Sequence, residues 1–327
     1  MPETTILRPD AEGIAAAAAL LRAGGLVAMP TETVYGLAAD ATNPDAIAAL
    51  YAAKGRPAHN PLIVHLPDAD AAGRVGATPA AAAPLIARFW PGPLTLVVDL
   101  RPGAGLAPAV TAGLGRVALR VPAHPVAQAL CRALGRPVAA PSANPSGRIS
   151  PTRAAHVLAG LGGRIAAVID AGPCPVGVES TILGAGPEGF SLLREGGIAA
   201  EEIEALTGQP LRRPAPGGAE AARPEAPGQL ASHYAPRAAV RLGVRVPLPG
   251  MVWIGFGPDC AGAALNLSAA GDPAEAAARL YDVLHEADAR AGPEGLIGVA
   301  PVPDRGLGRA VNDRLARAAA PRPAQPR

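Results

Sequence analysis

The 327-residue chain has a formal net charge of +2, is 49% hydrophobic but only 3% aromatic, and contains 39 glycines and 38 prolines. It is long enough for two domains with small aliphatic cores and too apolar for wholesale disorder. Residues 1–210 carry 15 Lys/Arg against 16 Asp/Glu and the remainder 14 against 11, so neither half is the polybasic arm of a non-specific nucleic-acid binder.

The three cysteines (Cys131, Cys174, Cys260) are far apart and form no CxxC, which argues against a disulfide framework or a zinc site. Arg22 and two glycines interrupt AAAAALLRAGGL before it could act as a signal segment, and no apolar run approaches 18 residues. The expectation is a soluble, cytoplasmic protein with no membrane association.

In chain order, Ala11 to Ala23 reads as an amphipathic helix ended by Gly24-Gly25. LVAMP is a short buried strand emptying into the polar turn TETVYG, and Asp45 to Lys54 is a helix with Pro44 in its first turn. PLIVHL is a strand, and Pro79 to Phe89 a helix halted by PGP. LTLVVDL and GRVALRVP are strands, and HPVAQALCRAL is a helix. RPVAAPSAN is a strand running into a Ser/Asn/Pro loop. AAVIDAG and STILG are strands, and EEIEALTG is a closing helix. This alternation predicts an α/β domain over residues 1–208, with chemistry beyond the carboxyl ends of its strands. Residues 209–236, rich in Pro, Gly and Ala, read as a linker. MVWIGFG, a helix at Pro273–Ala291, GLIGVA and a helix at Gly308–Ala319 predict a smaller α/β domain over 237–327.

Standard catalytic devices are absent: there is no GxxxxGK[ST], GxSxG, HExxH or EF-hand loop. GAGPEG satisfies GxGxxG only on paper, because Pro187 is present and no helix follows. What remains are polar clusters at strand ends. KGRPAHNP offers Lys54, the only lysine among 29 basic residues, with Arg56 and Asn60. Arg116 and Arg120 lie four apart in GRVALR, on one face of an extended strand. PSANPSGRISPT presents Ser142, Asn144, Ser146, Arg148 and Ser150, while VEST and LLREGG add Ser180, Thr181 and Arg194. Taken singly, each cluster reads as turn chemistry or solvated charge. An arginine inside a buried-looking strand, as Arg120 is, demands a partner. Together they describe a cationic, hydroxyl-lined cleft suited to a polyanion such as a nucleoside triphosphate, plus a small carboxylate.

PTETVYGLAADA, KGRPAHNPLIVH, FWPGPLTLVV, VALRVPAHP, APSANPSGRISPT, VESTIL and LREGGI occur in that order, followed by HYAP and GLGRAVNDRLARAA. This series resembles the YrdC-like threonylcarbamoyl-AMP synthases in their longer two-domain form. The resemblance implies a twisted, mostly open mixed α/β sheet with a concave cleft and an appended Rossmann-like domain. It implies synthesis of threonylcarbamoyl-AMP and pyrophosphate from L-threonine, bicarbonate and ATP. Mg²⁺ would be held mainly by the ATP phosphates, and a downstream transferase would use the product on tRNA. By motif, Thr33, His65, Arg120, Ala140 (through its backbone) and Ser180 would contact threonine. Lys54, Arg56, Asn60, Arg116, Ser142, Ser150 and Arg194 would surround ATP, with Lys54 and Arg56 catalytic. Tyr234 would cover the nucleotide with His233 nearby. The resemblance does not separate Thr31 from Thr33, or Ser180 from Thr181. Two rivals are an RNA-binding module without catalysis, disfavoured by charge and by few aromatics, and an enzyme using carbamoyl phosphate, for which the chain has no accessory segment.

Overall fold

A computed structural model describes residues 3–213, 233–260 and 262–321. The first unit begins with β1 (Thr5–Leu7) and α1 (Ala11–Arg22), where the Asp10 carboxylate accepts from the Gly13 amide as an N-cap. Next comes the buried strand β2 (Val27–Met29), which pairs antiparallel with β3 (Gly36–Asp40), a strand not expected from the sequence, which starts at the last residue of the TETVYG turn. Helix α2 (Pro44–Lys54) starts with Asn43 as N-cap and Pro44 in its first turn, and ends at Gly55 in the left-handed region. The unit continues through β4 (Ile63–His65), α3 (Ala69–Val75), β5 (Gly76–Ala77), α4 (Ala83–Phe89), β6 (Leu94–Leu100), β7 (Arg116–Arg120), α5 (Pro125–Leu134) and β8 (Val138–Ala139). It closes with α6 (Ala154–Leu161), β9 (Ala167–Ile169), the hairpin β10 (Thr181–Gly186) and β11 (Gly189–Arg194), and α7 (Ala200–Thr207).

These strands form one mixed sheet in the order β1-β9-β2-β3-β8-β4-β7-β6-β10-β11, with β5 paired to β6. β4 and β7 run parallel, placing His65 opposite Arg120 in register. β10 runs parallel to β6, while β6 is antiparallel to β7. The start of β10 therefore lies at the same end of the sheet as the finish of β7. Leu37, Leu50, Val64, Leu96 and Leu119 belong to one large buried cluster, and Val27, Met29, Leu130 and Val138 to another. Burial of this aliphatic surface supplies the main folding free energy, at about 25 cal/mol per Å².

The second unit is a four-stranded parallel sheet ordered β12-β15-β13-β14, comprising β12 (Ala239–Leu242), β13 (Val252–Gly255), β14 (Leu265–Asn266) and β15 (Leu296–Val299). Helices α8 (Pro273–Ala291) and α9 (Leu307–Ala319) pack on it. Leu280, Tyr281, Leu284, Val311 and Leu315 share a core with Val34, Ile149 and Val178 of the first unit. The hydrophobic interior thus crosses from one unit into the other. Most of the expected linker lies outside the described residues. Of its described parts, Arg212 pairs with Ser191 of β11, and Ala235 pairs with Arg148 through a backbone bridge.

Candidate active site

A small, partly open cavity of about 40 Å³ lies where the sheet meets the second unit. β4, β7 and β11 contribute their last residues, His65, Arg120 and Arg194, whereas Glu179 and Ser180 come from just before β10. Thr33 and Val34 enter from the turn after β2, Arg56 from the turn after α2, and Ala140, Pro141 and Ser142 from the loop after β8. His233 and Tyr234 close the list of walls from the far side. Nine of the residues singled out by resemblance to the family, together with His233, therefore line one space: Thr33, Arg56, His65, Arg120, Ala140, Ser142, Ser180, Arg194 and Tyr234.

Local hydrogen bonds explain which side chains face inward. Thr31 donates to the Val34 carbonyl at 2.6 Å and lies 2.8 Å from the Thr33 hydroxyl, so it braces the turn while Thr33 lines the cavity. Thr181 both donates to the Ile198 carbonyl and accepts from the Ile198 amide, while Ser180 lines the cavity and meets Thr95 at 2.7 Å. The Ala140 amide is committed to the Ile63 carbonyl, which leaves the Ala140 carbonyl for a ligand.

Arg120 is almost wholly buried and pairs with Glu32 at 2.7 Å. The other oxygen of Glu32 accepts from the Ala123 amide at 3.0 Å. Sequence reasoning missed Glu32, although an acid three residues after a strand and a buried arginine elsewhere were both visible. Arg56 donates to the Asn60 and Pro61 carbonyls, and burial lowers its pKa to about 10. Arg194 donates to the carbonyl and the hydroxyl of Ser180. His65 and His233 are buried, burial pushes both down to about 3, and each has an Nδ1 without a hydrogen-bond partner among the described residues. Buried polar atoms left unpaired in this way suit a ligand that would satisfy them.

Four expected site residues stand outside the lining. Lys54 is buried, and its ammonium donates to the Ser142 carbonyl at 2.5 Å and to the Asn144 carbonyl. Contact with a phosphate would require those bonds to be exchanged. Burial, then the neighbouring Arg56, lowers its pKa well below the usual lysine value. Asn60 is fully buried, and both atoms of its amide lack partners among the described residues. Ser150 donates to Glu179 at 2.6 Å. Arg116, at the opposite end of β7 from Arg120, donates to the Val97 and Ala185 carbonyls and faces Asp99.

The far wall is built by HYAP. The Ala235 amide donates to the Gly147 carbonyl, and the His233 amide donates to the Arg317 carbonyl, so this segment is held by both units. Tyr234 is buried with a φ of 61°, stands edge-on to His233, and has the Arg314 guanidinium 5.3 Å from its ring centre. Glu179, also missed by sequence reasoning, accepts from Ser150, from Tyr281 on α8 and from Arg314 on α9.

A large mixed sheet, a cation- and hydroxyl-lined cavity at its end, and a wall supplied by a second α/β unit define a two-domain sheet-cleft protein. Residues 19–196 match the Sua5/YciO/YrdC family, described as "Telomere recombination", and residues 198–320 match "Threonylcarbamoyl-AMP synthase, C-terminal domain". The chain belongs to the Sua5/YciO/YrdC family, in its two-domain form. It is 48% identical over 230 residues to a threonylcarbamoyl-AMP synthase of Bacillus subtilis, an alignment covering 70% of this chain and 66% of the relative. It is 43% identical over 226 residues to one of Pyrococcus abyssi, covering 68% and 66%. These alignments thus span just under two thirds of each relative's length. Its structure resembles the crystal structure of P. abyssi Sua5 complexed with L-threonine, with a TM-score of 0.86, 37% identity and 97% of both chains covered.

Proposed function

We propose that this chain is an L-threonylcarbamoyladenylate synthase, making threonylcarbamoyl-AMP and pyrophosphate from L-threonine, bicarbonate and ATP. The observation that carries the reading is the joint burial of Arg56, Arg120 and Arg194 around one cavity, in a chain whose full-length structural relative is Sua5 with L-threonine. Three guanidinium groups in one small space need anionic ligands. A narrow pocket walled by buried side chains from both units, with few aromatic faces for base stacking, fits a small-molecule substrate better than an RNA strand.

In this reading Arg120, oriented by Glu32, grips the threonine carboxylate through its planar fork. Thr33, Ser180, the neutral His65 and the Ala140 carbonyl surround the rest of the amino acid. Arg56 and Arg194 face the ATP phosphates, with Ser142 beside them and Tyr234 covering the nucleotide. Lys54 and Asn60 complete the phosphate end, Ser150 acts beside Glu179, and Arg116 is the most distant of the expected nucleotide contacts. The threonine amine takes up bicarbonate as a carbamate, whose oxygen attacks the α-phosphorus while pyrophosphate leaves. No covalent enzyme nucleophile is needed. Catalysis then comes from holding three reactants together and from neutralising the charge on the phosphates.

Among the described residues no group of three or more His, Cys, Asp or Glu is placed to hold a metal ion. Both oxygens of Glu179, the carboxylate in the cavity wall, already accept hydrogen bonds. These residues fit a Mg²⁺ ion that arrives on the triphosphate, where it supplies charge neutralisation. The product is then handed to a separate transferase that modifies tRNA, so tRNA is a partner only indirectly. Among the described residues no helix is long and apolar enough to cross a membrane, and the reading places the enzyme in the cytoplasm.

The test is incubation with ATP, Mg²⁺, L-threonine and bicarbonate, following pyrophosphate release and the mass of the nucleotide product. An AMP adduct that needs both threonine and bicarbonate is expected. ATP binding without turnover on any amino acid would overturn the reading.

A further inference from the structure

The cavity wall contains a feature at odds with an anion site. Glu179 is a buried carboxylate beside a space otherwise ringed by arginines. Its Oε1 accepts from Ser150 at 2.6 Å, and its Oε2 accepts from the Tyr281 hydroxyl and from Arg314 Nε, both at 2.9 Å. Arg314 has no exposed surface at all and belongs to α9 of the second unit, 135 residues further along the chain. Burial alone would raise the Glu179 pKa, but Arg314, Arg194 and the Ser150 hydrogen bond outweigh it and hold the group near 2. The carboxylate is therefore ionised at neutral pH.

A buried ion pair is weak evidence for stability, since well-packed apolar residues can do as well. Its cost makes better sense as the means of keeping a negative charge useful next to an anionic ligand. Ionised Glu179 can hold the Ser150 hydroxyl and the Tyr281 phenol in fixed orientations. Left uncompensated, the same charge would repel phosphate and compete for Arg194, which now donates to Ser180. Arg314, whose Nε bonds Glu179 while its Nη1 donates to Asp313 at 2.7 Å, eases that conflict from behind the wall, and its guanidinium also lies over Tyr234.

We propose that Arg314 is a positioning residue of the active site: the C-terminal domain supplies the positive charge that neutralises Glu179, so that the catalytic domain alone is electrostatically incomplete. The proposal rests on the functional reading above, in that it takes the anionic ligand to be ATP. It assigns the C-terminal domain a role in binding that goes beyond covering the cavity.

The test compares the full-length chain with Arg314→Met, Glu179→Gln, the double variant and Arg314→Lys, by steady-state kinetics and by calorimetric titration with Mg²⁺-ATP. Arg314→Met is expected to raise the KM for ATP and weaken ATP binding by about 30-fold, the scale of one uncompensated charge about 8 Å from a phosphate at an effective dielectric of about 20. Adding Glu179→Gln to it should recover most of that loss, because the conflicting charge is gone. Arg314→Lys, which keeps the charge but not the planar fork, should recover part of that loss and remains informative if the methionine variant does not fold. A double variant no better than Arg314→Met, or a lysine variant as weak as the methionine one, would overturn the proposal and leave Arg314 as a packing and Tyr234-anchoring residue. If the parent binds ATP but makes no product, the functional reading fails, while the binding titrations still decide the role of Arg314.

Discussion

At Lys54 the compact shape of an ammonium group has a visible use. It fits between the carbonyl oxygens of Ser142 and Asn144, two residues apart on the loop that lines the cavity. A planar guanidinium, with a wider head than an ammonium, cannot occupy that space without moving the loop. Lys54→Arg is therefore expected to fold but to lose about 100-fold in turnover, the effect of misplacing a substrate-positioning loop by about 1 Å. Near-parental pyrophosphate release by that variant would refute it. Glu32 plays the matching part for Arg120. Glu32→Gln should raise the KM for threonine by about tenfold, as expected when a charge-assisted bond weakens, while the KM for ATP changes little. Equal shifts in both constants would show that Glu32 supports the whole sheet end rather than one ligand. The residue types at the site were legible in the sequence because cationic and hydroxyl groups cluster in short motifs. Glu32 and Glu179 were not, because their partners lie 88 and 135 residues away and only folding brings them together.

At the scale of elements, the helices α1, α2, α5, α8 and α9 and the longer strands were legible from period, caps and breakers. The pieces missed were β1, β3, α3, β5, α6, β11, β12 and β14. β3 is the alanine-rich GLAAD, buried throughout, so it shows no alternation of polar and apolar residues. β11 is half-buried and alternates, but it is only six residues long and follows directly on the glycine-rich GAGPEG. The contact between units depends on a glycine. Gly177 has a φ of +76°, and a Cβ added there would stand 2.4 Å from the Ala277 and Ala278 carbonyls of α8. Gly177→Ala is thus expected to drive α8 from the catalytic unit, increasing cleavage between the units in limited proteolysis and cutting activity about tenfold or more. Unchanged proteolysis and turnover would mean that α8 can shift without cost.

At the scale of the whole molecule, buried neutral histidines set the response to acid. Burial lowers His65 and His233 to about 3 and, with His285, lowers His156 to about 4. His156 stacks on His285 of α8 at 3.8 Å, with Asp282 close by. As pH falls below the unfolded histidine value of about 6.5, the unfolded chain takes up protons that the folded one refuses. Stability is therefore full above that value and declines toward pH 3 to 4, and Glu179 adds to the decline once pH falls below the ordinary carboxyl value of 4.5, down to its own value of about 2. The melting temperature should fall steadily from pH 7 to pH 4, with a shallower slope in His156→Asn. A flat profile across that interval would contradict the burial of these rings. The two-domain layout itself was legible from the change of texture after Gly208. The shared core was not, because Val34, Ile149 and Val178 look like ordinary interior residues of the first unit until Tyr281 and Leu284 are packed against them.

A chain with one lysine carries a built-in reporter. Apart from the amine at its terminus, an amine-directed label has a single side chain to find, and in the folded state only 3% of Lys54 is accessible. Its rate of labelling would count how often the loop lets go of the ammonium, one molecule at a time and without any engineered tag. Substrates that tighten the cavity should slow that clock, and variants that loosen it should make it run fast.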